Sequence, residues 1–478
     1  MKTVKNLKDN LKVLKEKLTS EDLTFLSVKL GKSSACLIFV NDLISKDAVG
    51  ELVLKPLSEY KGKPSADIIN IFNSPEKKKI FDTDTIIEDV LEGNAVLVMD
   101  GLDFSISFGL KHFEKRAITE PPTSTVLKGP REGFVECLPV NISLMRRKLK
   151  TPDLTFENLS IGKYSKTPVA ICYIKGIAKY SLVKKIKRKL QSIDLDAVLD
   201  SSYVSKLLGE HDISIFKQIG NTEKPDILAA KILEGRVAIF VDGSPIALTV
   251  PYLLLEDFQS ASDYYNSSYS ATIARGVRLL SVILSLFLPA VFVASELFHL
   301  QLIPLSFLLT IVNSIKGIPL SPSYEMFFTL LIFEILNEAS VRMPKYVGMV
   351  VSIVGGLVLG ETAVTAGIIS APTLMIIALS GICLYTVPEL EQTFSVLRIL
   401  LLIIGGSAGC YGILVTVALF IIHLITFENY STPLLAPFSP LVKEDLKDGL
   451  YKGLLAEMTH RPKSLKNYNK RRLKQKDL

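Results

Sequence analysis

The feature that most constrains the fold of this chain is a long segment with almost no charge. Residues 279–427 contain only 11 charged side chains in 149 positions, whereas residues 1–278 contain 75. The net charges of these two segments are −3 and +5, and the last 51 residues carry a further +5. A chain with one segment this apolar is not a purely soluble enzyme, and its composition is not that of a fibrous or disordered protein. We predict a charged half followed by a membrane half.

Five uncharged runs lie in the apolar segment, and several are long enough to cross a bilayer, which takes about 20 apolar residues. A shorter stretch, Met326–Phe333, continues at helical spacing to Arg342, where Pro344 is expected to stop the helix. Pro304 interrupts the second run, which then lies either across the membrane or in its interface. Residues 405–412 (GGSAGCYG) allow one long helix or a tight, broken pair. We predict an α-helical multispan domain with four to six crossings, built from Leu279–Ser295, Leu297–Ile315, Tyr346–Gly360, Thr362–Pro388 and Ile399–Phe427.

The orientation of these helices follows from lysine and arginine near their ends, which favour the cytosolic side. Arg275 and Arg278 precede the first run, Arg342 and Lys345 precede the third, and residues 443–476 are strongly basic. All three regions are therefore expected to be cytosolic. Both termini then lie on the same side of the membrane.

The charged half contains an internal repeat. Glu92–Gly101 reads EGNAVLVMDG and Glu234–Gly243 reads EGRVAIFVDG. Each places a β-type run between turn signals and is followed by a second short strand. Each also follows an apolar strand at a similar distance (Ala35–Ile44 and Val169–Ala178), with helical patterns between. We predict an α/β cytosolic region of two related subdomains.

The predicted organisation has seven parts, with a Pro-rich stretch (Thr119–Phe134) at the start of the connector between the subdomains. The parts are an N-terminal amphipathic segment (1–19), subdomain 1 (20–115), the connector (116–154), subdomain 2 (155–260), a helix leading into the membrane (261–278), the transmembrane domain (279–428) and a basic cytosolic tail (429–478).

Signatures of catalysis and of bound cofactors are weak in this sequence. Residues 31–33 (GKS) resemble the end of a phosphate-binding loop, but Leu26 stands where that loop needs its first glycine. The five histidines have no zinc-protease spacing, and the five cysteines are scattered. Basic helical patterns lack the interleaved aromatic residues of nucleic-acid binding. We expect no enzyme activity, no cofactor, no metal and no nucleic-acid partner.

Ionisable residues inside the apolar segment are the candidate functional residues. Glu334, Glu338 and Arg342 recur every four positions and so form one stripe on a helix, with Glu338 and Arg342 in the favourable order for an ion pair. Such groups are costly toward lipid, so the stripe is expected to face protein or water. Glu361 lies among small residues that permit close helix approach. It either faces a pore or the protein interior, or lies at the bilayer surface.

Three blocks of the sequence resemble the A subunit of GerA-family spore germinant receptors, in order over about residues 20–440. The first is Thr119–Lys150 (TEPPTSTVLKGPREGFVECLPVNISLMRRKLK). The second is Asn221–Pro251, followed by DYY at Asp263–Tyr265. The third begins at Leu284 and runs through FEILNEASVRMPKYVG and IVGGLVLGETAVTAGIISAP to Pro440. Two positions depart from the family pattern: Ser340, where glycine is usual, and Glu361, where a neutral residue such as glutamine is usual.

The resemblance implies an integral protein of the spore inner membrane, with both termini on the core side. It implies action with a transporter-like B subunit and a lipoprotein C subunit, self-association as pentamers in the lipid bilayer, and a nutrient-gated cation channel that starts germination. Other classes remain open at this point: a secondary transporter or transporter-associated membrane sensor, and a membrane-bound enzyme. A transporter is expected to show broken helices in corresponding halves.

Overall fold

The computed structural model describes the whole chain except residues 1–2, 31–32, 61, 63–64, 66, 112–127, 212–213, 345–357, 359, 450, 455–456 and 473–478. The chain divides into two units. The α/β unit comprises Met1–Tyr252, Asn429–Thr432 and Ala456–Leu478, and the helical unit comprises Leu253–Glu428 and Pro433–Leu455.

The first half of the α/β unit is one antiparallel five-stranded sheet with helices on both faces. Its strand order is β1-β2-β4-β5-β3. Alternate residues of β2 enter different cores, because side chains of a strand point to opposite faces: Leu37 packs with α2 and α3, and Ile38 packs with α1 and α4. The elements are α1 (Leu7–Lys17), β1 (Leu23–Leu30), β2 (Ser33–Val40), α2 (Lys46–Val49), a π-helical turn (Gly50–Leu54), α3 (Lys55–Glu59), β3 (Lys77–Ile80), α4 (Thr83–Leu91), β4 (Ala95–Met99) and β5 (Ser105–Phe108).

The second half repeats this topology, with the strand order β6-β7-β9-β10-β8. Helices α5 and α8 cover one face of the sheet, and α6 and α7 cover the other. The elements are α5 (Leu138–Lys148), β6 (Leu154–Ile161), β7 (Thr167–Ile174), α6 (Tyr180–Gln191), α7 (Ser201–Leu208), β8 (Gly220–Thr222), α8 (Pro225–Leu233), β9 (Val237–Val241) and β10 (Ala247–Val250). The predicted α/β region with two sheets is confirmed, and the repeated strands β4 and β9 occupy equivalent positions.

The equivalence extends to individual hydrogen bonds. The Asp100 carboxylate accepts from the Leu7 N–H at the start of α1 (3.1 Å), and Asp242 accepts from the Leu138 N–H at the start of α5 (2.9 Å). The glycines after these aspartates have φ values of 88° and 86°, a left-handed conformation that favours glycine. Helices α1 and α5 therefore belong to the two repeated layers, although their sequences lie in the predicted N-terminal segment and the predicted connector.

The core of the helical unit is formed by five helices, which contribute Phe292, Ile311, Met326, Ile377 and Leu402. The helices of this unit are α9 (Ala261–Tyr265), α10 (Ser268–Phe298), α11 (Leu305–Ile315), α12 (Pro322–Arg342), α13 (Gly360–Thr365), α14 (Ala371–Leu384) and α15 (Glu391–Thr426). Short 3-10 helices lie at Leu254–Phe258, Leu300–Leu302, Pro388–Leu390 and Asp445–Asp448. Two short strands, β11 (Glu428–Asn429) and β12 (Thr432–Pro433), follow α15 in the chain. Two described helical stretches, Ser268–Phe298 and Pro388–Thr426, are long and apolar enough to cross a membrane.

The predicted runs map unevenly onto these helices. The first lies inside α10, which also includes most of the predicted helix leading into the membrane. In the second run only α11 after Pro304 remains a regular helix, and the fourth divides into α13 and α14. The third lies almost entirely outside the described residues. Helix α12 ends at Arg342, as Pro344 predicts.

Helix α15 is two helical segments joined at Gly409, where φ is 62° and ψ is −157°. A Cβ on Gly412 would lie 2.8 Å from Cγ2 of Ile404, although these residues are roughly 12 Å apart along a straight helix. The chain therefore folds back sharply at Gly409. Of the two predicted alternatives for residues 405–412, the structure has the broken pair.

Candidate functional site

The centre of the helical unit holds an ion pair between Glu334 of α12 and Arg398 of α15. The guanidinium of Arg398 donates from Nη2 to Glu334 Oε1. The Arg398 side chain is 0% exposed and that of Glu334 is 20% exposed. A charge with no access to solvent is costly unless it is paired and hydrogen-bonded, so this pair determines how α12 and α15 pack.

Two further helices complete the surroundings of Arg398. Its Nη1 donates to Ser380 Oγ of α14 (3.0 Å), and that hydroxyl donates to the Ser285 carbonyl of α10 (2.9 Å). The ring of Phe333 lies 5.5 Å from the guanidinium carbon. Gly381 leaves room for this ring, because a Cβ there would lie 2.2 Å from Phe333 Cζ. We call Glu334, Arg398, Ser380 and Ser285 the polar hub, since it joins four helices.

Two atoms of the polar hub make no hydrogen bond to a described residue. They are Arg398 Nε and Ser285 Oγ, and both are buried. A buried donor that lacks an acceptor costs free energy. The hub therefore has two donors, a guanidinium N–H and a hydroxyl, toward which an acceptor would be attracted if the helices shifted.

A second buried carboxylate links α12 to the start of α14. Glu325 is 1% exposed and accepts from the N–H and the hydroxyl of Ser370, both at 2.7 Å. Ser370 is also the N-cap of α14, where the helix dipole favours a negative group. This contact fixes the N-terminal half of α12, as the polar hub fixes its C-terminal half.

The remaining residues of the predicted stripe are on the surface of α12. Arg342 Nε donates to Glu338 Oε1 at 2.7 Å, so these two residues do form an ion pair across one helical turn. Their side chains are 78% and 65% exposed. The stripe therefore has two environments: Glu334 is directed into the unit, and the Glu338–Arg342 pair is directed outward.

Glu361 lies on α13 and is exposed, next to the exposed side chains of Thr362 and Thr365. Of the small residues around it, Gly360 is buried and a Cβ there would lie 3.2 Å from Leu374 of α14. Close approach of α13 and α14 thus depends on this glycine. Most of the preceding glycine-rich stretch lies outside the described residues.

A separate charged network lies at the start of α10. Asp263 accepts from Arg275 Nε (3.1 Å) and from both terminal nitrogens of Arg278, and Arg275 also donates to Asp448 (3.1 Å). Burial raises the pKa of Asp263, but the hydrogen bonds from Arg278 and Arg275 outweigh burial and hold this pKa below its usual range. The two arginines that predict the orientation of α10 therefore both bind Asp263, and Arg275 also ties α10 to Asp448.

Sequence reasoning missed Arg398, Ser380 and Glu325. Arg398 is one of only four basic residues in the apolar segment. It immediately precedes the run that starts at Ile399, and it is not among the candidate residues predicted from the sequence. Its rarity was the available signal, because an arginine at such a position needs a carboxylate partner. Among the described residues, no three His, Cys, Asp or Glu side chains are grouped as a metal site requires.

Two repeated α/β sheets joined to an apolar helical unit with buried ion pairs define a two-part protein whose helical region has two candidate membrane spans among the described residues. The sequence profile described as Bacillus/Clostridium GerA spore germination protein matches residues 7–464. The chain therefore belongs to the GerA family, and the resemblance stated from the sequence is confirmed.

Several relatives cover almost the whole chain. Spore germination protein KA of Bacillus subtilis (strain 168) is 32% identical over 95% of this chain and 86% of its own. Spore germination protein GerQA of Bacillus cereus is 33% identical over 96% of this chain and 92% of its own. The crystal structure of the N-terminal domain of the A subunit of the Bacillus megaterium spore germinant receptor GerK3 is 28% identical, with a TM-score of 0.40, and covers 53% of this chain and 98% of that domain.

Proposed function

We propose that this protein is the A subunit of a spore germinant receptor and acts in nutrient-triggered germination as an oligomeric, nutrient-gated cation channel. The observation that carries the proposal is the exposed Glu338–Arg342 pair on α12, a helix of the apolar unit. Membership of the GerA family supplies the biological setting.

The argument from this pair is energetic. At the centre of a bilayer, each charged side chain that faces lipid costs roughly 2.5–3.5 kcal/mol on insertion scales, and near helix ends long side chains reach the interface. Arg342 is the last residue of α12, so we propose that water at the inner face or a neighbouring subunit lies beside the surface that carries Glu338 and Arg342. Self-association around a water-filled path satisfies both charges, and a pentamer is the proposed assembly.

Glu361 is the proposed residue for ion selection. In a ring of subunits, one exposed carboxylate from each α13 would form an acidic ring, and acidic rings favour cations. The exposed hydroxyl-bearing residues Thr362 and Thr365 give the same helix a polar surface. The polar hub would then maintain the packing of α12 and α15 behind this surface.

The proposed assembly also includes a transporter-like B subunit and a lipoprotein C subunit in the spore inner membrane. Both termini are proposed to lie on the core side, because the arginines at the start of α10 and at the end of α12 favour the inner face. Single cysteines placed at Tyr164 and Tyr468, which are 73% and 65% exposed, are expected to escape labelling from outside sealed membranes. Labelling of either one from outside would contradict this orientation.

The decisive experiment compares spores in which this chain, with its B and C partners, is the sole nutrient receptor. Addition of a complex nutrient broth is expected to release potassium. The purified chain in liposomes is expected to conduct cations, and a change at the exposed α11 terminus, Lys316→Gln, serves as a control that leaves conductance unchanged. Absence of potassium release would overturn the receptor role. Potassium release without conductance in the liposomes would overturn the channel role alone.

A second candidate function, a secondary transporter, is favoured by the reversal of α15 at Gly409. Transporter binding sites are commonly built from discontinuous helices. The two mechanisms differ in flux: a channel conducts one cation species down its own gradient, whereas a coupled transporter needs a second gradient. Flux in liposomes with and without a proton or sodium gradient distinguishes them.

A further inference from the structure

The short hairpin formed by β11 and β12, residues 428–433, has an unusual turn. Its two central residues, Tyr430 and Ser431, have φ values of 51° and 58°. A two-residue hairpin loop of type I′ needs positive φ at both positions and usually has Asn-Gly there. A tyrosine and a serine adopt this conformation only where the surrounding contacts hold them in it.

The contacts that hold the turn come from subdomain 2, chiefly from helices α6 and α7 and the residues that follow α7. Tyr430 is 6% exposed and lies in the core that α6 and α7 form over the sheet. Its hydroxyl donates to the Leu208 carbonyl at the end of α7 (2.8 Å), and its N–H donates to Glu210 Oε2 (2.6 Å). Asn429 donates to the Gln218 carbonyl. Tyr430 is therefore inserted into subdomain 2 like one of its own core residues.

Two lysine side chains of α6 lie near the same ring. The ammonium groups of Lys185 and Lys189 lie 5.0 and 5.5 Å from the centre of the Tyr430 ring. Lys185 also pairs with Glu210, which accepts from the Tyr430 N–H. One residue thus contacts α6 through its ring, the end of α7 through one hydrogen bond and Glu210, two residues after α7, through another.

The position of Tyr430 in the chain gives these contacts their significance. Helix α15, which carries Arg398, ends at Thr426. Four residue steps separate Thr426 from Tyr430, and an extended chain of that length reaches at most about 14 Å. This four-residue connection acts as a tether. If α6 and α7 move so far that the connection is fully extended, the end of α15 must move with them.

We propose that the hairpin is a coupling element: Tyr430, four residues after the end of α15, is held in the α6–α7 layer, so that a conformational change in subdomain 2 is transmitted along the chain to α15 and its polar hub. The proposal deepens the proposed function and depends on it. Its physical content is a short tether between two elements that each have fixed contacts, and energetic coupling between sites is carried by connected elements of this kind.

Four variants of the full chain, expressed with its B and C partners, separate coupling from stability. Tyr430→Asn removes the ring but keeps a residue that tolerates positive φ. Ser431→Gly relaxes the turn and keeps the ring. Val204→Ala opens a cavity in the same core without touching the hairpin. Tyr468→Asn is a control at an exposed tyrosine of the same unit. A fifth variant inserts Gly-Ser-Gly-Ser after Phe427, which lengthens the tether and leaves the anchor intact.

Two measurements are made on each variant at matched protein levels: potassium release from spores on addition of nutrient broth, and hydrogen exchange of α7 in the isolated complex. We expect Tyr430→Asn to slow release about tenfold or more and to raise exchange in α7 by a similar factor, which corresponds to about 1.4 kcal/mol. The insertion is expected to slow release equally while exchange in α7 stays unchanged. Ser431→Gly and Tyr468→Asn are expected to leave both unchanged.

Two results would overturn the coupling role. Normal potassium release from the insertion variant would show that tether length is irrelevant. The second result is that Val204→Ala and Tyr430→Asn slow potassium release equally and raise hydrogen exchange in α7 equally. Tyr430 would then act only by stabilising the core of subdomain 2. If the unmodified receptor releases no potassium, the proposed function fails instead, and the exchange measurements still report whether Tyr430 anchors the hairpin.

Discussion

Replacing the two charged members of the polar hub, singly and together, tests whether their pairing organises the helical unit. Glu334→Gln leaves the fully buried Arg398 guanidinium without its carboxylate, which we expect to cost about 3–5 kcal/mol of unfolding free energy. Arg398→Met leaves Glu334 with its 20% exposure and a weak contact from Ser395 (3.4 Å), so about 1–3 kcal/mol is expected. The double variant removes both charges and is expected to cost less than the sum, with a coupling energy of about 2 kcal/mol.

The assay is chemical denaturation of the full chain in detergent, followed by far-ultraviolet circular dichroism because the chain has no tryptophan. The matched control is the same cycle with Glu338→Gln and Arg342→Gln. That pair is exposed on one helix, so its coupling is expected to be about 0.3–0.5 kcal/mol. Additive effects at Glu334 and Arg398, or a larger coupling in the control cycle, would refute the reasoning.

Three further predictions concern other parts of the chain. Arg146→Met breaks a fully buried ion pair with Asp22, in which both nitrogen–oxygen distances are 2.7 Å. In denaturation curves it is expected to lower the free energy of unfolding by about 3–5 kcal/mol. Its control, Arg147→Met, breaks a partly exposed pair with Glu132 and is expected to cost under about 1 kcal/mol. Burial, together with the Asp22 carboxylate, raises the pKa of Asp42 to about 6, so the folded state retains a proton that the unfolded state loses, and stability falls by roughly 2 kcal/mol as pH rises from about 4 to 6. Asp42→Asn removes this dependence, which a pH series of denaturation curves measures. Glu361→Gln is expected to change cation selectivity in liposomes and to leave subunit association intact, and identical currents would place Glu361 outside the ion path.

Features set by local chemistry were determined by the sequence alone. The two-part organisation follows from the density of charge, and the repeat follows from two EG…DG segments whose glycines adopt the same backbone conformation. The end of α12 at Arg342 follows from the proline two residues later. The Glu338–Arg342 pair was also predictable, because residues four apart on a helix are neighbours whatever the rest of the fold does.

Features that join distant residues were decided only by the tertiary structure. The partners of Arg398, Arg146 and the Tyr430 hydroxyl lie 64, 124 and 222 residues away along the chain. No periodicity relates such positions, because their distance depends on how helices and sheets pack rather than on backbone geometry within one element. Glu334 illustrates the difference: its place on the α12 stripe was legible in the sequence. Its inward direction and its partner follow from the packing of α15 against α12, since a buried guanidinium is tolerated only where a carboxylate meets it.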